Sequence, residues 1–353
     1  MTRAGYVAIT LAVGLAHGRH DPAALLDSWR QWDTGWYLDI SRRGYFDPAT
    51  AVFFPLYPAA IAGIAAVLGE PSRLAAALVL ANGGALAAIV GMVALGVQEV
   101  GEAAGRLSVL LFLSYPFAFY LAAAYTEGPF IAFAVWSVVM ARRGRWGPAA
   151  GLAFLAGLTR VTAIILILPL VWELGRQRGW WNPWLAPLAG AVPAAVLLFM
   201  AYLWRRFGDP LLFLKEQSLA WHRHPVDIFT VLPRAAARIL RLPLLDETRW
   251  VQTAEVTAVL LFAALTVIAV RRQPLSFTLF MVGLLYLSVA SPITTGPYYL
   301  QSAGRFLLAA VPGFLYAARL LAGRRYLELP VLAAGSGLQA FFVGLFLNGH
   351  VIE

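Results

Sequence analysis

The sequence predicts an all-α, polytopic membrane protein, and three observations carry that prediction. Hydrophobic residues make up 60% of the 353 and charged residues only 13%, with a mean hydropathy of +0.72; a soluble domain carries roughly 25% charged residues. Many apolar runs approach the roughly 20 residues that cross a bilayer as a helix. None alternates with the two-residue period of a membrane β-barrel, and in lipid a spanning backbone must otherwise satisfy its own hydrogen bonds as a helix.

The apolar runs fall near 4–17, 52–69, 74–97, 106–122, 128–141, 148–158, 162–174, 184–204, 254–270, 275–290, 305–321 and 328–347. The first of them, Ala4 to Ala16, reads as a short first span. Short loops between runs carry Arg142, Arg143 and Arg145; Arg176 and Arg178; Arg271 and Arg272; and Arg324 and Arg325. By the positive-inside rule these loops are cytoplasmic, and two runs separate each from the next. With Arg3 also inside, one of the five runs before Arg142 does not cross. Residues 52–69 fit that role, opening on the prolines of "FFPLYP" and continuing rich in alanine and glycine. The expected topology is therefore about 11 spans in a single domain, 1–353. Its first extracytoplasmic loop, 18–73, contains amphipathic helices; a second large outer segment covers 205–253, and a third runs from Ser291 to Arg305.

Composition also removes function classes. Cysteine is absent, so there are no disulfides, thiolate nucleophiles or Fe–S clusters. The net charge of +9 is almost wholly arginine, with Lys215 the one lysine. These charges flank membrane segments rather than forming a separate basic stripe, so anionic lipid headgroups explain them and nucleic acid does not. His222 and His224 lack ligand spacing of known metal sites, and no cofactor or metal is expected. Phosphate loops, dinucleotide fingerprints and nucleophile elbows are missing.

The chemistry-bearing residues lie in the polar segments. Arg30 to Tyr45, "RQWDTGWYLDISRRGY", reads as one helix capped by Asp27 or Ser28 and stopped by Gly44. Helical spacing puts Trp29, Trp32, Asp33, Trp36 and Ile40 on one face, with Asp33 inside an aromatic stripe. A carboxylate so placed is a site candidate, while Asp39 reads as a structural partner of Arg42 or Arg43. Glu127, in "AAAYTEGPF", sits at an outer helix start, where the helix dipole alone favours an acid. Arg160, in "GLTRVTA", and Arg305, after "YYLQSAG", suit a phosphate, which arginine grips with paired hydrogen bonds; snorkelling to headgroups explains them equally well. In "GDPLLFLKEQSLAWHRHP", Asp209 and Pro210 open a helix, and Gln217 and Trp221 fall one turn apart.

In this order, "WDTGWYLDISRRGY", "FFPLYP", "AYTEGPF", "GLTR", "GDPLLFLKEQSLAW" and "GRFLLAAVPGF" resemble the PIG-V type of mannosyltransferase. This is a bacterial branch similar to GPI mannosyltransferase 2, within the GT-C glycosyltransferase superfamily. The resemblance covers roughly residues 29–320. It implies inverting transfer of a hexose, typically mannose, from a polyprenyl-phosphate donor to a lipid, glycan or protein acceptor outside the cytoplasmic membrane. Asp33, kept as the Trp32–Asp33 pair, matches the family's catalytic acid in the first outer loop. Thr34 stands where related families often carry a second acid, leaving Glu127 or Asp39 as candidates. Arg305 and Arg160 would hold the donor phosphate. Trp32, Trp36, Tyr37, Gln217, Trp221 and Tyr298 or Tyr299 would contact sugar or acceptor. A transporter or flippase of a lipid-linked substrate is the competing class; it predicts repeated halves and mid-membrane acids, whereas here the polar motifs lie at the outer helix ends. A non-catalytic assembly subunit is a third reading, in which Asp33 is dispensable.

Overall fold

The computed structural model describes residues 3–296 and 298–352. Helix accounts for 77% of the structure, and among the described residues the only strand-like pairing is one antiparallel bridge, Arg223 to Ile293.

α1 (Arg3–Ala16) is the first apolar segment, and α2 (Pro22–Asp27) follows, started by Asp21, whose side chain accepts from the Ala24 N–H, and by Pro22. The expected single helix over Arg30–Tyr45 is interrupted. Asp27 and Ser28 do not cap its start: Asp27 ends α2 and Ser28 is that helix's C-cap, and α3 (Asp33–Arg43) begins only after residues 28–32. The tryptophans explain the break. Trp29 packs edge-on to Tyr6 and beside Phe346 and donates its indole N–H to Thr10 Oγ1 at 3.1 Å. Trp32 instead donates to the His350 carbonyl at 3.3 Å and takes a φ of +48°. Anchoring two indoles at separate places outweighs helix propensity, which is a weak preference. The aromatic stripe around Asp33 is therefore not formed. Gly44 does stop α3, with a φ of +68° that a side chain would oppose.

After a 3-10 turn, Pro48–Val52, come α4 (Leu56–Leu68), α5 (Arg73–Val100), α6 (Glu102–Ser114) and α7 (Glu127–Arg142). The apolar run 106–122 is not one helix, because Pro116 lacks the N–H to continue it. Tyr115 turns extended before that proline and a 3-10 turn covers Pro116–Leu121. α5 and α7 pack closely through small residues, as membrane helices do. Ala81 and Ala85 of α5 are fully buried, and a side chain at Gly128 would collide with the Ala81 carbonyl and lie 2.7 Å from Ala85 N.

α8 (Trp146–Thr159) leads through a 3-10 turn, Val161–Leu166, into α9 (Ile167–Arg178) and then α10 (Leu185–Phe207). The segment 205–253 holds α11 (Leu212–Leu219) and α12 (Ile228–Arg241), whose Phe229 and Leu240 are exposed. α11 starts after Asp209 accepts from the Leu211 N–H at 3.0 Å, and it ends before Trp221. α13 (Glu247–Ala269) and α14 (Leu275–Val289) follow; the polar segment Ser291–Arg305 is described except for Pro297. The run 305–321 divides into α15 (Ala303–Leu307) and α16 (Val311–Leu321), with Pro312 in the first turn of the latter, and α17 (Arg325–Leu347) closes the chain. Four helical stretches among the described residues are long and apolar enough to cross a bilayer: Glu70–Val100, which takes in α5, together with α10, α13 and α17. Shorter apolar helices, α1, α4, α8, α14 and α16, accompany them. The chain is an integral membrane protein.

Ion pairs mark one end of the bundle. Arg142, at the end of α7, pairs with Glu99 of α5 and lies 2.8 Å from Glu173 of α9; Ser276 of α14 donates to that same carboxylate at 2.7 Å. Arg142 and Arg176 thus share the Glu173 carboxylate. Glu127, at the opposite end of the 16-residue α7, stands about 22 Å away at about 1.5 Å per residue.

Candidate active site

Four elements meet at that opposite end. Asp33 is the first residue of α3, placed there by the positive φ of Trp32, a conformation that persists only when surroundings enforce it. One turn on, Tyr37 reaches the buried Thr126, their hydroxyls 3.2 Å apart. Glu127 opens α7, held by the Gly128 contact with α5. Arg160 follows the last residue of α8, where the backbone turns extended before the 3-10 turn. Arg305 is carried by α15, preceded by Ser302 with a φ of +70°.

The side chains form one continuous network. Arg305 Nη2 lies 2.8 Å from Asp33 Oδ2, and its Nε donates to Glu127 Oε1. Arg160 Nη1 reaches the same Glu127 oxygen at 2.5 Å and Thr126 Oγ1 at 3.1 Å. Asp33, Glu127 and Arg305 are 8%, 3% and 4% exposed. Two carboxylates therefore neutralise two guanidiniums away from bulk water, which is what keeps buried charges tolerable. Arg305 also lies over Tyr125, 4.5 Å from the ring centre, and Arg160 over Phe306 at 5.2 Å. Burial, and next the Asp33 carboxylate, push the Tyr37 hydroxyl above its ordinary pKa, so it stays protonated.

Glu127, Phe130, Arg160, Thr162, Arg305 and Phe306 line a cavity of ≈ 10 Å³, about the space of one water. A sugar phosphate enters only if these side chains move. A second, wholly apolar pocket between α7, α9, α14 and α16 shares Ala309 with it. Among the described residues no three His, Cys, Asp or Glu side chains gather where a metal ion would sit.

The structure brings Asp33, Glu127, Arg160, Arg305 and Tyr37 together. It leaves Asp39 outside, 3.3 Å from Arg43 in a half-exposed pair one turn along α3. Trp36 and Trp221 build a separate aromatic wall: Trp36 stacks on Phe46 and Phe53, and Trp221 meets both Trp36 and Phe53 edge-on. Trp32 is 41% exposed. Gln217 is partly exposed on α11. Tyr299 is buried, and the Tyr298 hydroxyl is 3.4 Å from that of Thr248.

Sequence reasoning missed Thr126, which joins Tyr37 to Arg160 although it adjoins Glu127 in the motif. It also missed Glu255, fully buried in α13. The available signal was an acid inside an apolar helix, where ionisable residues are rare and functional; starting the span at residue 254 hid it.

No protein-family profile matches the sequence, and no curated protein sequence does. The fold is similar to that in the crystal structure of ArnT from Cupriavidus metallidurans bound to undecaprenyl phosphate. The TM-score is 0.57 at 14% identity, over 99% of this chain and 77% of that one. Identity that low speaks for the fold alone. What the chain shares with that structure is the helical fold.

Proposed function

We propose that the protein is an inverting membrane glycosyltransferase that moves a hexose, mannose by its PIG-V-like motifs, from a polyprenyl-phosphate donor to a lipid, glycan or protein acceptor. The observation that carries this reading is the network itself. A carboxylate able to take a proton and two arginines able to hold a phosphate share one buried site, in a fold similar to that of a protein whose structure holds undecaprenyl phosphate. Opposition of this site to the arginine-rich end of the bundle supports a site on the extracytoplasmic face of the cytoplasmic membrane.

In the reaction, an acceptor hydroxyl oxygen attacks the anomeric carbon from the face opposite the phosphate. Its proton passes to Asp33, the general base. The bond from the anomeric carbon to the phosphate oxygen breaks, and its electron pair leaves with polyprenyl phosphate. Since phosphate is already a good leaving group, the second carboxylate of a glycosidase is not needed. Arg305 and Arg160 stabilise the charge that develops on it. Glu127 holds both guanidiniums in place while the site is empty. Arg305 is then shared between Asp33 and the incoming phosphate, so donor binding draws the guanidinium away and frees the base.

The test is transfer of labelled mannose from polyprenyl-phosphate mannose by the purified protein. Transfer that Asp33→Asn abolishes supports the reading. Near-wild-type turnover in that variant removes Asp33 as base, and absence of wild-type transfer from any lipid-linked sugar favours a transporter.

A further inference from the structure

α15, which carries Arg305, is only five residues long, too short to hold its own direction. Side chains from elsewhere fix it. From α13, Glu255 accepts the Gly304 N–H at Oε2; Gln252, one turn earlier, accepts the Leu300 N–H at 3.0 Å. From the end of α6, Tyr115 donates its hydroxyl to the Gly304 carbonyl at 3.0 Å. Glu255 thus caps α15 from a neighbouring helix, one residue before Arg305.

Glu255 is an expensive way to hold a backbone. It is 0% exposed, and its Oε1 has no hydrogen-bond partner among the described residues. Gln252 does a comparable task without charge. What sets Glu255 apart is its place: it holds the residue immediately before Arg305.

We infer that Glu255 is a positioning residue for Arg305: by capping α15 it aims the guanidinium at Asp33 and Glu127, where the donor phosphate would be gripped. The donor part rests on the function proposed above; the aiming of Arg305 does not. Glu255→Ala removes the acceptor, whereas Glu255→Gln keeps an oxygen for the Gly304 N–H.

The experiment uses monodisperse full-length protein and undecaprenyl phosphate as probe, with Glu255→Ala, Glu255→Gln, Arg305→Ala and the double variant Glu255→Ala/Arg305→Ala. Glu255→Ala should weaken binding at least about tenfold, the equivalent of ~1.4 kcal/mol. Glu255→Gln should restore most of it, and Glu255→Ala should cost nothing further once Arg305 is gone. Equal loss in both backgrounds, or no loss, overturns the inference. A ligand-free arm compares melting temperatures: the penalty of Arg305→Ala should shrink when Glu255 is already alanine, and strictly additive penalties overturn the inference. If wild-type protein does not bind the probe, the donor reading fails while the melting cycle still decides the role of Glu255.

Discussion

Asp33 Oδ2 lies 2.8 Å from Arg305 Nη2, so the proposed base and the proposed phosphate grip neutralise each other in the empty site. Removing the carboxylate charge should therefore move two quantities in opposite directions. Asp33→Asn should lower transfer by about 10²-fold or more, the usual range for a lost general base. The same variant should bind undecaprenyl phosphate more tightly, because Arg305 no longer has to leave an anionic partner. Equilibrium binding beside single-turnover transfer measures both, and weaker binding in the variant would contradict the exchange of partners.

The Gly128 contact sets where Glu127 stands. A methyl group there meets the α5 backbone at Ala81 and Ala85, which cannot yield as a flexible side chain can. Gly128→Ala should cost about 1–3 kcal/mol in stability, as overpacking does, seen as a lower melting temperature. It should also reduce turnover of the molecules that remain folded, because Glu127 moves with the helix start. Gly151→Ala on α8, where added bulk meets open space, is the control expected to change neither.

Tyr37 gives a pH signature with a definite sign. Its hydroxyl pKa is raised in the folded protein from the ordinary value of 10.0, so the fold prefers the protonated form. Its contribution is complete below about pH 10 and declines as pH rises above that, since the unfolded chain then loses the proton first. Tyr37→Phe should flatten the alkaline fall in stability, read from melting temperatures between about pH 9 and 11. At neutral pH it should cost about 1 kcal/mol for the lost bond to Thr126.

Sidedness can be read chemically, because the chain has no cysteine of its own. Thr34 is too buried to report, but Arg30 and Arg143 are exposed. Arg30→Cys should react with an impermeant maleimide added outside intact cells, and Arg143→Cys only after the membrane is opened. The reverse pattern would put the candidate site in the cytoplasm.

What the sequence determined by itself is what short-range physics controls. Composition alone implies a lipid environment, and the apolar runs mark where helices form because backbone bonding in lipid leaves no alternative. Gly44 as a helix stop and Asp39 beside Arg43 were legible for the same reason: both depend on residues within one turn. The motif order also singled out Asp33, Glu127, Arg160 and Arg305 one at a time. Only the tertiary structure decided that they touch, since Glu127 and Arg305 are 178 residues apart and no local pattern encodes their pairing. It also decided where α3 begins, because Trp29 and Trp32 dock on α1, α17 and His350, contacts that override the helical periodicity around them. Glu255 and Thr126 acquired meaning in the same way, as buried polar groups whose partners were brought to them by the packing of distant helices.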